Sequence, residues 1–409
     1  MRYKLIPFLL LTGSLHAQQT SVLFIGNSYT YANDLPNTLR QLALSLGDTV
    51  TVASSTPGGY QFVQHANYAP TLTAIASQPW DHVVLQEQSQ LGALPFPVTT
   101  TQASAAQLVD TIRAHEACSM PVFYMTWGRQ NGDDLNCPDF PFMCTYQGMQ
   151  DALIANYTAL AEENDAFVAP VGAAWSQVRA LHPLIELYSG DGSHPSPAGT
   201  YLAACVFYCT LFEESCVNAT FNGFIDAATA AILRGIASEV VLDDLTAWNL
   251  DVDDVDASYT SSTNNGWNVI TYTHGGAGTH LWTSSDGQSY TTPDATFVFS
   301  AGGSYTISHT YTDPCGNSDT ETWVREIVVG VEELEHGMWY RVYSGVPGQL
   351  EVRGLRGGEV LMLFDAQGRS VLQKQLSRSA ERVVCLPGMY FWRVNDERGN
   401  FTSGSVVVR

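Results

Sequence analysis

Basic residues are scarce in this sequence. Its 409 residues include 18 Lys and Arg against 40 Asp and Glu, which leaves a net charge of −22 at pH 7. A surface this negative repels phosphate backbones and anionic lipids, and the acidic part shows no basic patch, so we predict no nucleic-acid binding. Charged residues make up 14% of the chain and apolar residues 45%. This composition excludes wholesale disorder and favours two or three domains with real cores.

Long apolar runs are also missing. A membrane-spanning helix needs about 20 consecutive, mostly apolar residues, and no segment of the sequence provides them. The apolar run at residues 5–11 is shorter; it follows Arg2 and Lys4 and precedes small residues that end at Ala17. This is the layout of a secretory signal peptide, which we place at residues 1–17. The sequence therefore predicts a secreted or cell-surface protein with no transmembrane segment.

Cysteine and histidine do not occur at the spacing of a zinc site. Eight cysteines are present, and export would permit disulfides. Cys137 and Cys144 flank a short loop, and Cys209 and Cys216 bracket the end of a predicted helix. Structural disulfides or buried free thiols are therefore favoured over a metal. The acidic run at residues 251–256 suits either Ca²⁺ or a solvated linker; we favour the linker and predict no metal site.

The pattern of elements divides the chain into three blocks. In residues 18–245, short β-branched runs alternate with longer helical patterns, which predicts a parallel sheet covered by helices. The expected strands are Ser21–Gly26, Thr49–Ser54, His82–Gln86, Pro121–Thr126 and Ala166–Pro170; the expected helices are Pro36–Leu46, Thr101–Glu116, Tyr146–Glu163, Gly172–Leu181, Pro197–Phe212 and Ile225–Val240. Residues 246–330 and 331–409 instead show short strands between turn signals, so each predicts a small all-β sandwich.

The last block also differs from the others in charge. Residues 336–409 hold 10 basic and 6 acidic residues, whereas residues 1–335 hold 8 basic and 34 acidic residues. This change of sign agrees with a separately functioning module at the C-terminus.

Two short segments of the α/β block carry catalytic residue types. Gly26, Asn27 and Ser28 directly follow the first strand, at the edge where open α/β sheets bind ligands. Asp191 and His194 lie three residues apart before the last long helices. Each segment alone is also typical of a helix cap or a surface loop. Together they supply a serine nucleophile, a base for its proton and a carboxylate that orients the base.

These two segments resemble the end blocks of the SGNH (GDSL-like) hydrolase superfamily, and the resemblance covers residues 20–240. It implies a flavodoxin-like three-layer α/β sandwich with a parallel sheet. It also implies ester hydrolysis by a catalytic triad of Ser28, Asp191 and His194. The resemblance implies neither a metal nor an organic cofactor.

The family stabilises the oxyanion with the N–H of the nucleophile, a Gly in a second block and an Asn side chain in a third. Here Ser28 fills the first role, and Gly59 matches the second. The third block departs from the family, because residues 85–89 read Leu-Gln-Glu-Gln-Ser where Gly-x-Asn-Asp is usual. A Gln amide can donate the same hydrogen bond, so Gln86 and Gln88 are both candidates. The sequence resembles a divergent branch of the superfamily.

Other residues of the α/β block receive weaker predictions. Trp127 and Arg129 follow the fourth strand at the same edge of the sheet. Trp127 could stack on a sugar ring or serve as rim packing, and Arg129 could hold an anionic group. We expect His65 and His82 to be structural or exposed.

The two C-terminal blocks carry their own resemblances. Residues 250–330, with the motif at 302–311, resemble a PKD-type immunoglobulin-like domain, which implies a spacer or a polymer-binding module. The block at 331–409 resembles the type IX secretion sorting domain of Bacteroidetes, although residues 343–345 replace its usual Pro-Asn-Pro. That likeness rests on residues 360–369, 386–391 and 406–409. It implies recognition by the type IX secretion machinery and export across the outer membrane.

The leading hypothesis is a secreted serine ester hydrolase that removes acyl groups, such as acetyl, from a polysaccharide or a related small ester. The polymer is an analogy drawn from the appended β-sandwich. Two alternatives stay open. One is an inactive, surface-displayed binding or adhesion protein, which the altered third block supports, and the other is an amidase or peptidase with the same triad.

Overall fold

The computed structural model of the protein describes residues 17–263, 268–327, 340–353, 358–377, 380–396 and 401–408. The predicted signal peptide, apart from Ala17, and the predicted start of the last block at residue 331 lie outside the described residues. The chain forms two compact units, of which the first extends to Asp256 and includes Thr312–Ser318. The remainder of the chain forms the second unit.

A five-stranded parallel sheet lies at the centre of the first unit. Its strands are β1 (Gln19–Ile25), β2 (Thr49–Ser55), β3 (His82–Leu85), β4 (Met120–Tyr124) and β5 (Phe167–Ala169). Their spatial order is β2-β1-β3-β4-β5, and each neighbouring pair is parallel. This is the flavodoxin-like strand order, so the predicted α/β class is confirmed.

Helices cover both faces of this sheet. They are α1 (Ser28–Tyr31), α2 (Leu35–Leu46), α3 (Phe62–His65), α4 (Ala69–Ile75), α5 (Thr101–His115), α6 (Tyr146–Glu163), α7 (Val171–Leu181), α8 (Pro197–Phe212) and α9 (Ala227–Leu242). Successive strand residues point to opposite faces. Val22 and Phe24 of β1 belong to the core formed with α2, α7, α8 and α9, whereas Leu23 and Ile25 belong to the core formed with α5 and α6. The result is a three-layer sandwich.

Local capping decides where the last two helices of this unit begin. Ser196 accepts the N–H groups of Ala198 and Gly199, and Pro197 stands at the first helical position, so α8 begins where predicted. Asp226 caps α9 in the same way. The helix predicted at Ile225 therefore starts two residues later, at Ala227.

The second unit consists of antiparallel sheets. Its first strands are β6 (Thr260–Thr263), β7 (Val269–Thr273), β8 (Thr279–Ser284), β9 (Ser289–Tyr290), β10 (Asp294–Val298), β11 (Gly303–Thr312) and β12 (Ser318–Ile327). They form the sheets β10-β7-β6 and β12-β11-β8-β9. Tyr272, Trp282 and Phe297 lie in the core of this segment.

The C-terminal segment forms two more sheets. Its strands are β13 (Arg341–Val346), β14 (Gln349–Arg353), β15 (Val360–Phe364), β16 (Ser370–Gln375), β17 (Ala380–Val384), β18 (Gly388–Asn395) and β19 (Phe401–Val408). The sheet orders are β13-β14-β17 and β16-β15-β18-β19. Leu350, Leu363 and Val394 are buried in a shared core. The expected small all-β architecture after the α/β block is confirmed.

Two disulfides join cysteines of the first unit. One links Cys137 and Cys144 across the predicted loop, and the other links Cys118 and Cys315, which are 197 residues apart. Cys209 and Cys216 are buried free thiols, so of the two possibilities for this pair the structure has the second.

The described residues contain no group of three or more His, Cys, Asp or Glu side chains that could hold a metal ion, and this includes the acidic run at 251–256. In the same part of the chain, every helix is too short or too polar to cross a membrane.

Candidate active site

The predicted nucleophile occupies the turn between β1 and α1. Ser28 is the first residue of α1, and Asn27 caps the helix by accepting the Tyr29 N–H with Oδ1 at 3.2 Å. Strand β1 lies between β2 and β3, where the connections of the sheet diverge to opposite sides. Ligands of open α/β sheets bind in the crevice at this point, outside the carboxyl ends of the strands. The topology therefore puts the Ser28 hydroxyl at the expected ligand-binding edge.

The loop between α7 and α8 carries the other two predicted catalytic residues. It folds back on itself, because the Ser189 N–H donates to the His194 carbonyl at 2.8 Å. Gly192 turns the chain with φ of 67°, a left-handed conformation that favours glycine. The turn brings Asp191 Oδ1 to 3.0 Å from the N–H groups of both Ser193 and His194.

Ser28, His194 and Asp191 form a continuous hydrogen-bonded chain. His194 Nε2 lies 2.8 Å from Ser28 Oγ, and His194 Nδ1 lies 2.6 Å from Asp191 Oδ2. Although partial burial opposes the shift, hydrogen bonds from the His194 ring and two backbone N–H groups lower the pKa of Asp191 to about 2. Asp191 is thus a carboxylate near neutral pH. The His194 and Asp191 side chains are 42% and 51% exposed, so substrate and water can reach them.

The backbone N–H groups of Ser28 and Gly59 suit the role of oxyanion donors. In the part of the chain that the structure describes, no hydrogen bond uses the N–H of Ser28 or of Gly59. Gly59 is exposed and has φ of 71°, a conformation that disfavours a side chain. Asn27 Nδ2 donates to the Tyr60 carbonyl at 2.9 Å and so ties the Gly59 loop to the nucleophile turn.

The prediction that Gln86 donates to the oxyanion is wrong. Gln86 is fully buried, and its amide nitrogen donates to the Glu87 carbonyl. Its Oε1 accepts the Asn27 N–H at 2.9 Å and the Thr30 hydroxyl at 3.0 Å. Because the side chain has no exposed atom, it cannot touch a substrate.

Gln88 is half-buried and remains a candidate third donor. Its Oε1 accepts the N–H groups of Gln90 and Leu91, and its amide nitrogen donates to Gln90 Oε1 at 3.1 Å. An amide nitrogen carries two donor hydrogens. One hydrogen of Gln88 Nε2 is bonded to Gln90 Oε1. The other hydrogen is the one that Gln88 would donate to the oxyanion.

The prediction that Trp127 contacts substrate is also wrong. Trp127 is fully buried between Tyr29 and Trp175, with ring centroids 4.7 Å and 3.9 Å away and nearly parallel planes. Its indole N–H donates to the Ser193 carbonyl at 2.9 Å. Trp127 therefore supports the loop that carries His194 instead of presenting a face to ligand.

Arg129 lies beside the same loop but is already paired. Its guanidinium forms a 3.1 Å ion pair with Asp133, which is fully buried and also accepts a hydrogen bond from Gln90. The Arg129 side chain is 30% exposed. A substrate anion at this position would share Arg129 with Asp133.

Asn33 supports the site, but the sequence did not predict this role. Asn33 has φ of 51°, and its Nδ2 donates at 3.0 Å both to the Pro195 carbonyl and to the Thr200 hydroxyl. It thereby links the segment after Ser28 to the residue that follows His194. The only sequence signal is that Asn tolerates left-handed backbone angles, and this does not reveal a contact across 162 residues.

Two buried titratable groups bond the backbone near Ser28. His65 Nε2 donates to the Gly26 carbonyl at 2.9 Å, and Nδ1 of the neutral ring accepts the Thr71 hydroxyl. These contacts confirm His65 as structural. Burial lowers the pKa of His65 to about 4 and raises the pKa of Glu87 to about 7. Glu87 accepts the Phe62 N–H at 3.0 Å and the Gln88 N–H at 2.6 Å.

The solved structures similar to this chain include proteins described as hydrolases and esterases. One is a DUF4886 family protein from Bacteroides uniformis, with a TM-score of 0.48 and 18% identity over 55% of this chain and 95% of that chain. A proposed SGNH hydrolase from Slackia heliotrinireducens has a TM-score of 0.38 and 33% identity over 47% of this chain and 97% of its own. A family 3 carbohydrate esterase from Clostridium thermocellum has a TM-score of 0.34 and 13% identity over 46% and 94%. No protein-family model and no curated protein matches the sequence.

Proposed function

We propose that this protein is a serine ester hydrolase. Ser28 Oγ attacks the ester carbonyl while His194 Nε2 takes its proton, and Asp191 holds the imidazole in the required tautomer and stabilises its charged form. The N–H groups of Ser28 and Gly59 receive the oxyanion. His194 then protonates the leaving alcohol, and a water that it deprotonates releases the acid from the acyl-enzyme. The single observation that carries this proposal is the Ser28–His194–Asp191 hydrogen-bonded chain.

The test is hydrolysis by the purified protein of p-nitrophenyl acetate, acetylated xylan and a matched series of amides, with Ser28→Ala alongside. The proposal expects ester cleavage that the mutant lacks while its circular dichroism and melting temperature match wild type. Cleavage of amides at comparable rates would instead indicate an amidase or peptidase. No turnover by a folded protein would favour the binding or adhesion protein.

We further propose an acylated carbohydrate as the substrate, with Tyr31 as the residue that contacts the sugar. Tyr31 lies on α1, one turn after Ser28, and is 52% exposed. Its hydroxyl lies 3.4 Å from the position that a Cβ on Gly58 would occupy, so the ring stands beside the Gly59 loop. An exposed aromatic ring at this place could stack on a sugar that carries the ester.

Substitution of Tyr31 separates this idea from a general effect on catalysis. Tyr31→Ala is expected to raise KM for acetylated xylan about tenfold and to leave p-nitrophenyl acetate hydrolysis unchanged, whereas Tyr31→Phe keeps the ring and behaves as wild type on both. Equal losses on the two substrates would contradict the sugar contact.

We also propose that the protein is exported. The support is the sequence: a signal-peptide pattern at residues 1–17, and a C-terminal block that resembles a type IX sorting domain. In this proposal the secretion machinery recognises residues 331–409, and residues 246–330 serve as a PKD-like spacer or polymer-binding module. Mass spectrometry of the protein from culture medium tests it, since export predicts an N-terminus at residue 18 and retention in the cell when residues 331–409 are deleted.

A further inference from the structure

A buried glutamine lies directly beneath the nucleophile turn. Gln86 follows β3, the neighbour of β1, and its backbone N–H donates to the Ile25 carbonyl at 2.9 Å. Its side-chain oxygen accepts two hydrogen bonds from the turn itself, from the Asn27 N–H and from the Thr30 hydroxyl. These two donors stand on either side of Ser28 in the sequence. A single acceptor atom, Gln86 Oε1, therefore bonds residues on both sides of Ser28.

Gly26 leaves the space that the Gln86 amide occupies. A Cβ on Gly26 would lie 2.6 Å from Gln86 Oε1 and 2.6 Å from Thr30 Oγ1, so only glycine leaves room for the glutamine at this position. The opposite side of the turn is held by His65, which bonds the Gly26 carbonyl. Gly26 and Gln86 are thus a complementary pair, which explains a glutamine in the third block.

We infer that Gln86 is a positioning residue for Ser28. Gln86 is buried, and it holds the Ser28 hydroxyl and the Ser28 N–H in position relative to His194. The inference rests on the serine hydrolase function proposed above. In this role the Gln86 side-chain oxygen accepts hydrogen bonds from the protein, and the Gln86 amide does not donate to the oxyanion. Gln86 touches neither substrate nor the reacting atoms, so its loss acts on the rate of the chemical step and leaves substrate affinity intact.

The orientation of the amide depends on its nitrogen. Gln86 Nε2 donates to the Glu87 carbonyl, and this bond points Oε1 at the turn. A glutamic acid in the same place can make the same contacts only when its carboxyl is protonated, because an ionised carboxylate has no hydrogen to donate to that carbonyl. Burial raises the pKa of a carboxyl group, so the protonated form persists toward neutral pH and is lost above it.

Three variants test the inference. Gln86→Met keeps the length of the side chain and removes the acceptor, Gln86→Glu makes the bond to the Glu87 carbonyl pH-dependent, and Tyr208→Phe is the matched control. The Tyr208 hydroxyl donates to Asp48, which precedes β2 and so lies at the opposite end of the sheet from Ser28. Each substitution alters hydrogen bonds of a buried polar group, but only the first two affect the turn that carries Ser28.

We expect Gln86→Met to lower kcat about 100-fold with KM within about twofold of wild type, because small displacements of a reacting group have effects of this size. Tyr208→Phe should keep the kcat of wild type. The kcat of Gln86→Glu relative to wild type should fall steadily as the pH rises from about 6 to 9. Wild-type kcat in Gln86→Met, or a Gln86→Glu ratio that does not change with pH, would overturn the inference.

Hydrogen exchange of the Asn27 amide supplies a readout that does not need activity. If Gln86 holds this N–H, its exchange should speed up in Gln86→Met and stay slow in Tyr208→Phe. Slow exchange in both variants would overturn the inference even if wild type is an active esterase. An inactive wild type that fluorophosphonate does not label would instead refute the proposed function, and the positioning role with it.

Discussion

At the scale of single residues, the site depends on buried groups that the sequence presents as ordinary polar side chains. Glu87 and His65 are both almost inaccessible and both bond backbone atoms near Ser28. Burial disfavours the charged form of each, so Glu87 has a raised pKa and His65 a lowered one. The two groups therefore act on stability in opposite directions as pH changes.

The sign of the Glu87 effect gives a prediction. Its pKa is about 7 in the folded protein against an ordinary value of 4.5, so the folded state holds this proton more tightly than the unfolded state. The contribution to stability is complete below pH 4.5 and is lost as pH rises through 7. Glu87→Gln removes this dependence and should gain about 3 kcal/mol relative to wild type between pH 4.5 and pH 8.

Urea denaturation of wild type and Glu87→Gln at several pH values measures that difference, in which His65 and the other titrating groups cancel. Gln preserves the acceptor for the Phe62 and Gln88 N–H groups, so the contacts stay comparable. Glu162→Gln, at an exposed position on α6, serves as control and should show no trend. A pH-independent difference for Glu87→Gln would contradict the burial argument.

The three residues of the proposed triad could be predicted from the sequence, whereas the roles of two buried neighbours could not. Ser28, Asp191 and His194 were predictable because nucleophile, base and orienting acid each occur in a recognisable local setting, and the structure places them within hydrogen-bond distance. Gln86 and Trp127 were mistaken for substrate contacts. Both follow strands at the correct edge, but their burial depends on Gly26 and Trp175, which are distant in the sequence.

At the scale of elements, the position of His194 depends on an aromatic stack. Tyr29 of α1, Trp127 after β4 and Trp175 of α7 stack in parallel, and the Trp127 indole bonds the loop between α7 and α8. Stacked and buried rings of this kind form rigid contacts between elements. The stack therefore joins the helix that carries Ser28 to the loop that carries His194.

Trp127→Phe should lower kcat about tenfold with little change in KM, because it keeps a ring in the stack and removes the hydrogen bond to the Ser193 carbonyl. Trp175→Phe is the control, since it makes another ring of the same stack smaller and keeps the hydrogen bond between Trp127 and the Ser193 carbonyl. Steady-state kinetics and thermal melts of both variants check the prediction. Equal kcat losses in the two variants would show that packing alone matters.

The long elements were predictable for a physical reason. Strands buried on both faces are short β-branched or apolar runs, and long helices carry caps such as Ser196 and Asp226, so their existence and type can be read locally. The helices α3 and α4, of four and seven residues, were missed. Helices this short have little periodicity of their own and form because tertiary contacts hold them.

At the scale of the whole molecule, a disulfide joins parts of the chain that no sequence pattern connects. Cys118 follows α5, and Cys315 belongs to the segment Thr312–Ser318, which is part of the first unit. The sequence separation is 197 residues, against 7 for Cys137 and Cys144. A crosslink restricts the unfolded chain more when it closes a longer loop.

Replacing Cys118 and Cys315 with Ser should therefore lower the free energy of unfolding of the first unit by about 5 kcal/mol, against about 2.5 kcal/mol for the same change at Cys137 and Cys144. Chemical denaturation of the two double variants measures both values. The reverse order, or equal losses, would contradict the loop-length argument.

The proposed mechanism requires that Ser28 is an activated nucleophile. The most direct measurement is reaction of the folded protein with a fluorophosphonate probe, followed by mass-spectrometric mapping of the labelled peptide. We expect a single adduct on Ser28 that is absent in Ser28→Ala and forms much more slowly in His194→Ala. No adduct in the folded wild-type protein, or an adduct on a different serine, would contradict it.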